Sequence, residues 1–439
     1  MRRVLVLAYY FPPLGGAGVQ RVVGFVRHLP ELGYESTVVT SPGVATSEWG
    51  TPDEELAALL PRGTEVRRAQ GPEPKRIGTW HSRAERWLGF EDPFDAWWRG
   101  SAAAAALEGT PQVDAVVASM SPFSTARAAA RIAAELGKPW IADLRDPWAL
   151  DEVLVYPSAL HRRAAERRMG ADLSSAAAIV MNTPEATEQL LRRFPDFRSK
   201  PVVTIPNGFD PEDFAGPAPR REDGKLRIVH AGYLHTEGGP GRAMRVLGGS
   251  VHGYDLHTRS HTYLLQATES LEPELRDRIE VHLVGLVAEH DRATLPPYVH
   301  VHGYQPHSRT VELLRSADLL FLPMHDLPAG RRARIVPGKT YEYLAARRPI
   351  LAAVPDGDAR DLLAQVPAAT LCRPADVDAM ADAILAALQR RNRGETLPQT
   401  PAELLEPFER PRLTARLADV FDAALGVPAH PASDARVAV

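Results

Sequence analysis

Cysteine is almost missing from this chain. One residue in 439, Cys372, is a cysteine, which excludes an internal disulfide and a zinc centre made of paired cysteines, and suggests a reducing, cytoplasmic setting. Long apolar runs are missing too. No stretch reaches about 18 consecutive apolar residues, so no helix is expected to span a membrane. The opening Met1-Arg2-Arg3 and the apolar Val4–Phe11 imitate a signal peptide. However, Pro12-Pro13 breaks the run and no small-x-small cleavage site follows, so a first buried strand is expected instead. Charge of one sign is not in excess: 51 Lys+Arg stand against 55 Asp+Glu, a net −4. That balance excludes coating a nucleic-acid polymer by bulk charge. The fifteen histidines contain no HExxH pattern and no tight carboxylate pair, so no metal site is expected. With 44% hydrophobic and 24% charged residues, the chain is globular rather than disordered or fibrous.

Short apolar runs alternate with longer helical patterns. Strands are expected over Val4–Tyr10, Glu35–Thr40, Ala115–Ala118, Trp140–Ala142, Ala178–Met181 and Val202–Ile205. Between them Val19–Leu32, Thr125–Leu136, Ala159–Ser174 and Pro184–Arg193 carry apolar residues at helical spacing, and Gly33 stands where a helix would end. This βαβ order predicts a parallel, doubly wound sheet. Pro206-Asn207-Gly208 and the polar stretch Asp210–Gly224 read as a linker. The pattern then restarts, with strands over Leu226–Ala231, Glu280–Gly285, His300–Gly303 and Asp318–Leu322, and helices over Ser308–Ala317, Lys339–Ala346 and Val377–Gln389. The expected organisation is an α/β domain over 1–206, a second over 207–405, a helix within 406–425 and a mobile tail over 426–439. The Gly- and His-rich stretch Gly248–His261 fits none of these elements.

Two segments carry candidate chemistry. The turn after the first strand holds Gly15, Gly16 and Gly18. Glycines there let backbone approach a ligand, with amides at a helix N-terminus facing an anion. A dinucleotide fingerprint would need glycine at position 21, which is Arg21, and no Lys-Ser/Thr follows to make a phosphate-binding P-loop. A tightly packed turn without a ligand explains these glycines equally well. The second segment gathers Arg331, Arg332, Arg334 and Lys339 around Pro337-Gly338, just before a helix. Such a cluster in a slightly acidic chain suits a diphosphate, and Glu342, three residues into the helix, could accept from a ribose diol. A solvated basic surface with a capping glutamate is the plainer alternative.

Five motifs resemble those of GT-B glycosyltransferases, specifically the family-4-like retaining ones. They are Tyr10-Phe-Pro-Pro-Leu-Gly-Gly-Ala-Gly-Val-Gln-Arg21, Asp143-Leu-Arg-Asp-Pro-Trp148, Ile205-Pro-Asn-Gly-Phe-Asp210, His302-Gly-Tyr-Gln-Pro306 with the Val311–Pro323 run after it, and Pro337-Gly-Lys-Thr-Tyr-Glu-Tyr-Leu-Ala345. The resemblance covers about residues 1–425. It implies two Rossmann-like domains facing across a cleft, the first holding the acceptor and the second a nucleotide diphosphate sugar of the UDP, GDP or dTDP type, with a final helix returning to the first domain. No other cofactor and no metal is implied. Carried over residue by residue, Glu342 would hold the donor ribose. Lys339, Pro337, Gly338 and Thr340 would lie at the diphosphate or sugar, Tyr304 and Gln305 beside the base, and Gly15, Gly16 and Gly18 near the phosphates. Asp143, Arg145 and Asp146 would position the acceptor, with Tyr10, Asp92 and Trp97 as further acceptor contacts.

The chain also departs from the pattern. The family often has a glutamate eight residues before the ribose-binding one, and that position is Arg334. The usual basic pair after the first strand of the second domain is not cleanly present, which leaves Arg242 as the nearest substitute, with Arg331 or Arg334 able to supply phosphate charge. The expected activity is transfer of a sugar to a hydroxyl acceptor, with retention and without a metal. A sugar-nucleotide epimerase or hydrolase, or a degraded nucleotide-binding protein, are the alternatives. Residues 1–205 hold 24 basic and 24 acidic residues. Their one basic cluster, Arg162, Arg163, Arg167 and Arg168 with Glu166, reads as a salt-bridged helix face. A soluble small molecule, a natural-product intermediate or a glycan is therefore favoured as acceptor over a membrane lipid. Trp80, Trp87, Trp97 and Trp98 around Glu91-Asp92-Pro93 suit an aromatic sugar platform or a packed core. The oligomeric state is not indicated.

Overall fold

The structure is a computed structural model that describes residues 1–43, 52–74, 92–109, 112–219, 221, 223–234, 245–395 and 400–428. Arg242, Trp80, Trp87, Glu91 and most of the expected tail, from residue 429 on, lie outside the described residues. The chain divides into two compact units. The first comprises residues 1–208, 246–249 and 407–439, and the second 209–245 and 250–406.

The first unit contains a seven-stranded parallel sheet in the order β3-β2-β1-β4-β5-β6-β7. Its strands are β1 (Arg2–Ala8), β2 (Tyr34–Thr40), β3 (Glu65–Arg68), β4 (Ala115–Met120), β5 (Trp140–Leu144), β6 (Ala178–Met181) and β7 (Val202–Thr204). The central strands are buried along their whole length, as a sheet covered on both faces requires. Among the described residues, the helices of at least eight residues that precede the last one in this unit are α1 (Ala17–His28), α2 (Pro93–Leu107), α3 (Thr125–Leu136), α4 (Ala159–Leu173) and α5 (Pro184–Arg193). Gly137 ends α3 in a left-handed cap, the conformation glycine adopts without a Cβ penalty.

The second unit contains a six-stranded parallel sheet in the order β10-β9-β8-β11-β12-β13. Its strands are β8 (Leu226–Ala231), β9 (Ile279–Val284), β10 (Val299–Gly303), β11 (Leu319–Pro323), β12 (Ile350–Ala353) and β13 (Ala369–Cys372). The corresponding helices are α6 (Thr262–Glu269), α7 (His307–Arg315), α8 (Lys339–Ala346) and α9 (Val377–Arg393). Its core joins Ile228, Val281, Leu283 and Phe321 of the sheet to Leu264 and Ala267 of α6 and to Ile384 and Leu388 of α9.

The last helix, α10 (Arg410–Leu425), belongs to the first unit. Leu413, Leu417, Val420 and Phe421 enter that unit's core, and Asp422 accepts from Tyr34 Oη at 2.5 Å and from Arg2 at 2.9 Å. Residues 246–249 also pack in the first unit, where Leu247 O and Gly249 O accept from the amides of Ala159 and Tyr156 at 2.8 Å. That accounts for one end of the unplaced Gly/His-rich stretch. The other end leads into α6. The basic face of α4 is organised differently from the expected i,i+4 pairing. Arg162 donates to Leu154 O and Gly249 O, and Glu166 pairs with Arg193 of α5 at 2.7 Å. Among the described residues no helix is long and apolar enough to cross a membrane.

Candidate functional site

In an open parallel sheet, ligands bind beyond the carboxyl ends of the strands where the strand order reverses. In the second unit that point lies between β8 and β11. Lys339, at the start of α8, is brought to it. Its ammonium is 3.1 Å from His230 Nε2 at the end of β8, and His230 Nδ1 is 3.0 Å from Phe321 O of β11. A carbonyl only accepts, so Nδ1 carries the proton and Nε2 offers its lone pair to Lys339. Burial, then the Lys339 charge, hold His230 well below its ordinary pKa, which agrees with this neutral tautomer. Burial and the Arg259 charge push Lys339 well below the usual lysine range, while Glu342 acts in the opposite sense. Gly232, the residue after β8, has φ +108, and a Cβ there would lie 2.7 Å from Lys339 Nζ. Any other residue at 232 would displace the ammonium.

Around this pair stand polar groups with capacity to spare. Thr340 is fully buried and its hydroxyl makes no hydrogen bond. Glu342 is 8% exposed, and its Oε1 accepts no hydrogen bond; His307 Nδ1 lies 3.8 Å from it. His307 Nε2 in turn meets Asp213 Oδ2 at 3.0 Å. Buried oxygens without donors are costly, so their clustering beside the half-buried Lys339 ammonium marks a place built for a polar ligand. Lys339 and Glu342 are i and i+3 on one helix and therefore share a face. Tyr343 holds the floor, accepting from Ala231 N at 2.8 Å and donating to Phe321 O at 3.3 Å.

Arg259 was not anticipated from the sequence. It lies in the unplaced Gly/His-rich stretch, and its charge acts on both His230 and Lys339. No local pattern links position 259 to position 339; only the fold does. The other anticipated cations behave differently. Arg332 pairs with Asp361 at 2.6 Å, and Arg331 is exposed. Arg334 is half-buried in the segment tied by Ala333 N to Asp356 O at 2.8 Å. Pro337 O and Gly338 O accept from Thr340 N and Tyr341 N in the first turn of α8. Gln305 donates to His302 O at 2.7 Å and secures the turn holding Tyr304.

In the first unit the sheet order reverses between β1 and β4. Gly16, at φ 110, caps α1, and its carbonyl accepts from Val19 N at 3.0 Å and from Gln20 N at 3.2 Å; Gly15 is buried beside it. A Cβ on Gly18 would lie 1.5 Å from the Arg145 guanidinium, and that guanidinium lies 5.1 Å from the Tyr10 ring centre. Asp146 is half-exposed, 4.0 Å from Arg145. These residues are therefore brought together. Three others have partners within the fold. Asp143 is 1% exposed, and its carboxylate is occupied by Arg21 at 2.7 Å and Ser119 at 3.0 Å. It fastens Arg21, which also donates to Ile205 O and Pro206 O, rather than reaching an acceptor. Asp92 is the N-cap of α2, accepting from Phe94 N at 2.8 Å. Trp97 packs with Phe94 and Trp98. The fold also brings together side chains that no short sequence motif links. Glu280, His282 and His300 come together on β9 and β10, with one ligand atom of each within 4.8 Å of the others.

Residues 15–208 match the family model for a glycosyl transferase 4-like domain, and residues 251–390 the model for glycosyl transferases group 1. No curated protein sequence matches the chain. Solved structures with a similar fold include HepE from Anabaena in complex with UDP and glucose, at 15% identity and a TM-score of 0.62, covering 96% of this chain and 100% of that one. Sucrose-phosphate synthase from Thermosynechococcus elongatus is similar at 13% identity and 0.65, covering 97% and 100%. A putative UDP-N-acetylglucosamine 2-epimerase from Listeria monocytogenes is similar at 11% identity and 0.57, covering 98% of each. With two Rossmann-like sheets, one in each unit, and the two models accounting for most of its length, the chain belongs to the GT-B glycosyltransferases.

Proposed function

We propose that this protein transfers a sugar from a nucleoside diphosphate donor to a hydroxyl acceptor, with retention of configuration and without a metal ion in the reaction. The observation that carries the donor half is the half-buried Lys339 ammonium beside neutral His230, with the uncommitted Glu342 oxygen one turn further along α8. The diphosphate would lie against Lys339 and Arg259, and the ribose diol would donate to Glu342. UDP is the first nucleotide to test, because the similar HepE structure contains it.

As the bond between the sugar and the diphosphate breaks, negative charge gathers on the leaving oxygen. A preplaced ammonium in a dry site stabilises that charge most strongly. The buried Thr340 hydroxyl, which has no partner within the protein, would add a donor at the same place. Arg145, held over Tyr10 and against Gly18, would orient an acceptor hydroxyl. The balanced charge of residues 1–205 favours a soluble acceptor.

A panel of nucleotide sugars in a thermal-shift assay tests the donor. Binding to the folded state alone stabilises by about 4 kcal/mol at a thousand-fold excess over Kd. No response to any donor refutes the reading. Release of nucleotide in the absence of any acceptor points instead to a hydrolase or epimerase. The anomeric coupling constant in the NMR spectrum of the product decides retention, and undiminished turnover in a chelator is the expected result for metal independence.

A further inference from the structure

The second sheet ends in an array of side chains that the sugar chemistry leaves unused. Ile279, Val281 and Leu283 of β9 enter the core, so the two-residue period of a strand sends Glu280 and His282 to the opposite face. Strand β10, at the sheet edge, has the same period, with His300 and His302 on one face. The parallel register sets His300 directly beside His282. The result is a Glu-Val-His segment paired with a His-Val-His segment. The two imidazole rings of His282 and His300 lie 4.7 Å apart.

The distances have a particular character. Glu280 Oε2 is 3.4 Å from His282 Nε2, and Glu280 Oε1 is 4.0 Å from His300 Nε2. Both are long for hydrogen bonds. The first matches the separation of neighbouring ligands around one tetrahedral ion, about 3.3 Å when the metal–ligand bonds are about 2.0–2.1 Å, and the second would shorten to it by a small side-chain adjustment. The other nitrogen of His282 is already taken: Nδ1 is 2.8 Å from His302 Nε2. A histidine that binds a metal through Nε2 usually donates its Nδ1 proton to an outer partner that fixes the ring, and His302 stands in that position. His282 is 7% exposed, so its ring is held in place by the surrounding fold.

We propose that Glu280, His282 and His300 form a binding site for a zinc-class divalent cation, with His302 as the outer partner of His282 and a water completing the coordination. Two imidazoles and one carboxylate select zinc, nickel or copper over magnesium or calcium, which require oxygen ligands. Lys225 Nζ, 3.4 Å from Glu280, and Arg227 Nη2, 3.9 Å from it, flank the site. Their repulsion limits the affinity. The ion would tie the edge strand to its neighbour. It would thereby brace the turn at Gly303–Pro306, which leads into α7 and its His307. The site does not depend on the proposed transferase reaction, since it uses none of that reaction's groups.

The test uses the tag-free full chain, stripped with chelator and titrated with Zn²⁺ by calorimetry, with thermal unfolding in parallel. One saturable equivalent that raises Tm is expected. His300→Gln, at an exposed edge position, and Glu280→Gln should weaken it by more than the roughly 10–100-fold typical of losing an outer-shell partner. Lys225→Gln should tighten it by removing a competing charge, and His290→Gln, at an exposed histidine paired with Asp291, should leave it unchanged. Absence of a saturable equivalent overturns the proposal. So does an equivalent whose affinity is the same in wild type, His300→Gln and Glu280→Gln, since that ion would be held elsewhere on the surface.

Discussion

Replacing Lys339 by methionine keeps most of the side-chain volume and removes the charge. If the ammonium stabilises the leaving diphosphate, the loss compares with removing one preorganised donor from an oxyanion site, about 10²–10³ in kcat or roughly 2.7–4 kcal/mol. The Lys339–His230 contact of 3.1 Å and the close approach of Gly232 sharpen the expectation in two ways. First, Lys339→Arg should not restore activity, because the planar guanidinium is larger than the space the glycine leaves. Second, Gly232→Ala should imitate the loss of the lysine, since its Cβ would occupy the ammonium's place. The assay is kcat at saturating donor, measured by nucleotide release, with calorimetric affinity for UDP alongside. Thermal unfolding serves as the control for folding, because His230 Nε2 loses its donor in the methionine variant, at a cost of about 1–3 kcal/mol. A folded Lys339→Met enzyme with near wild-type kcat and UDP affinity would refute the reasoning.

Arg259→Ala should weaken UDP binding by about 10–100-fold, the equivalent of roughly 1.5–3 kcal/mol for a hydrogen bond to a charged group, with the fold unchanged by circular dichroism. Lys339 has its pKa lowered in the free protein, and a bound diphosphate would raise it again. UDP binding should therefore take up protons at pH values between the two, and affinity should fall as pH rises through that window. Calorimetry in buffers of different ionisation enthalpy reads the uptake, and an enthalpy independent of buffer would contradict it. Asp143→Ala removes one partner of a buried ion pair and should cost about 3–5 kcal/mol of stability. A chemical-denaturation midpoint measures this, and unaltered stability would return Asp143 to the list of acceptor groups.

Much of this architecture was legible along the chain because strands and helices impose different periods. Helices α3, α5 and α8 occupy the residues their apolar spacing indicated. The elements that were missed share a physical cause. Helix α2 buries Ala102, Ala103, Ala105 and Ala106, but an unbroken alanine run has no amphipathic period to read. Strand β3 is a polar edge strand, Glu65–Arg68, without an apolar run. The tryptophan cluster was ambiguous for a different reason. Aromatic residues serve both cores and sugar platforms, and only the contacts of Trp98 with Tyr9 and Thr125 show a packed interior at that position.

The sequence alone determined the α/β class, the restart of the pattern after the Pro206–Gly208 break, and the pairing of Lys339 with Glu342 on one helical face. Each of these depends on neighbours a few residues apart. Tertiary structure alone decided that Arg259 joins Lys339, that Asp143 is committed to Arg21, and that Glu280 and His282 meet His300. Those pairings span tens to more than a hundred residues. They follow from sheet order and strand register, which are set by the packing of whole faces and leave no local trace in the chain.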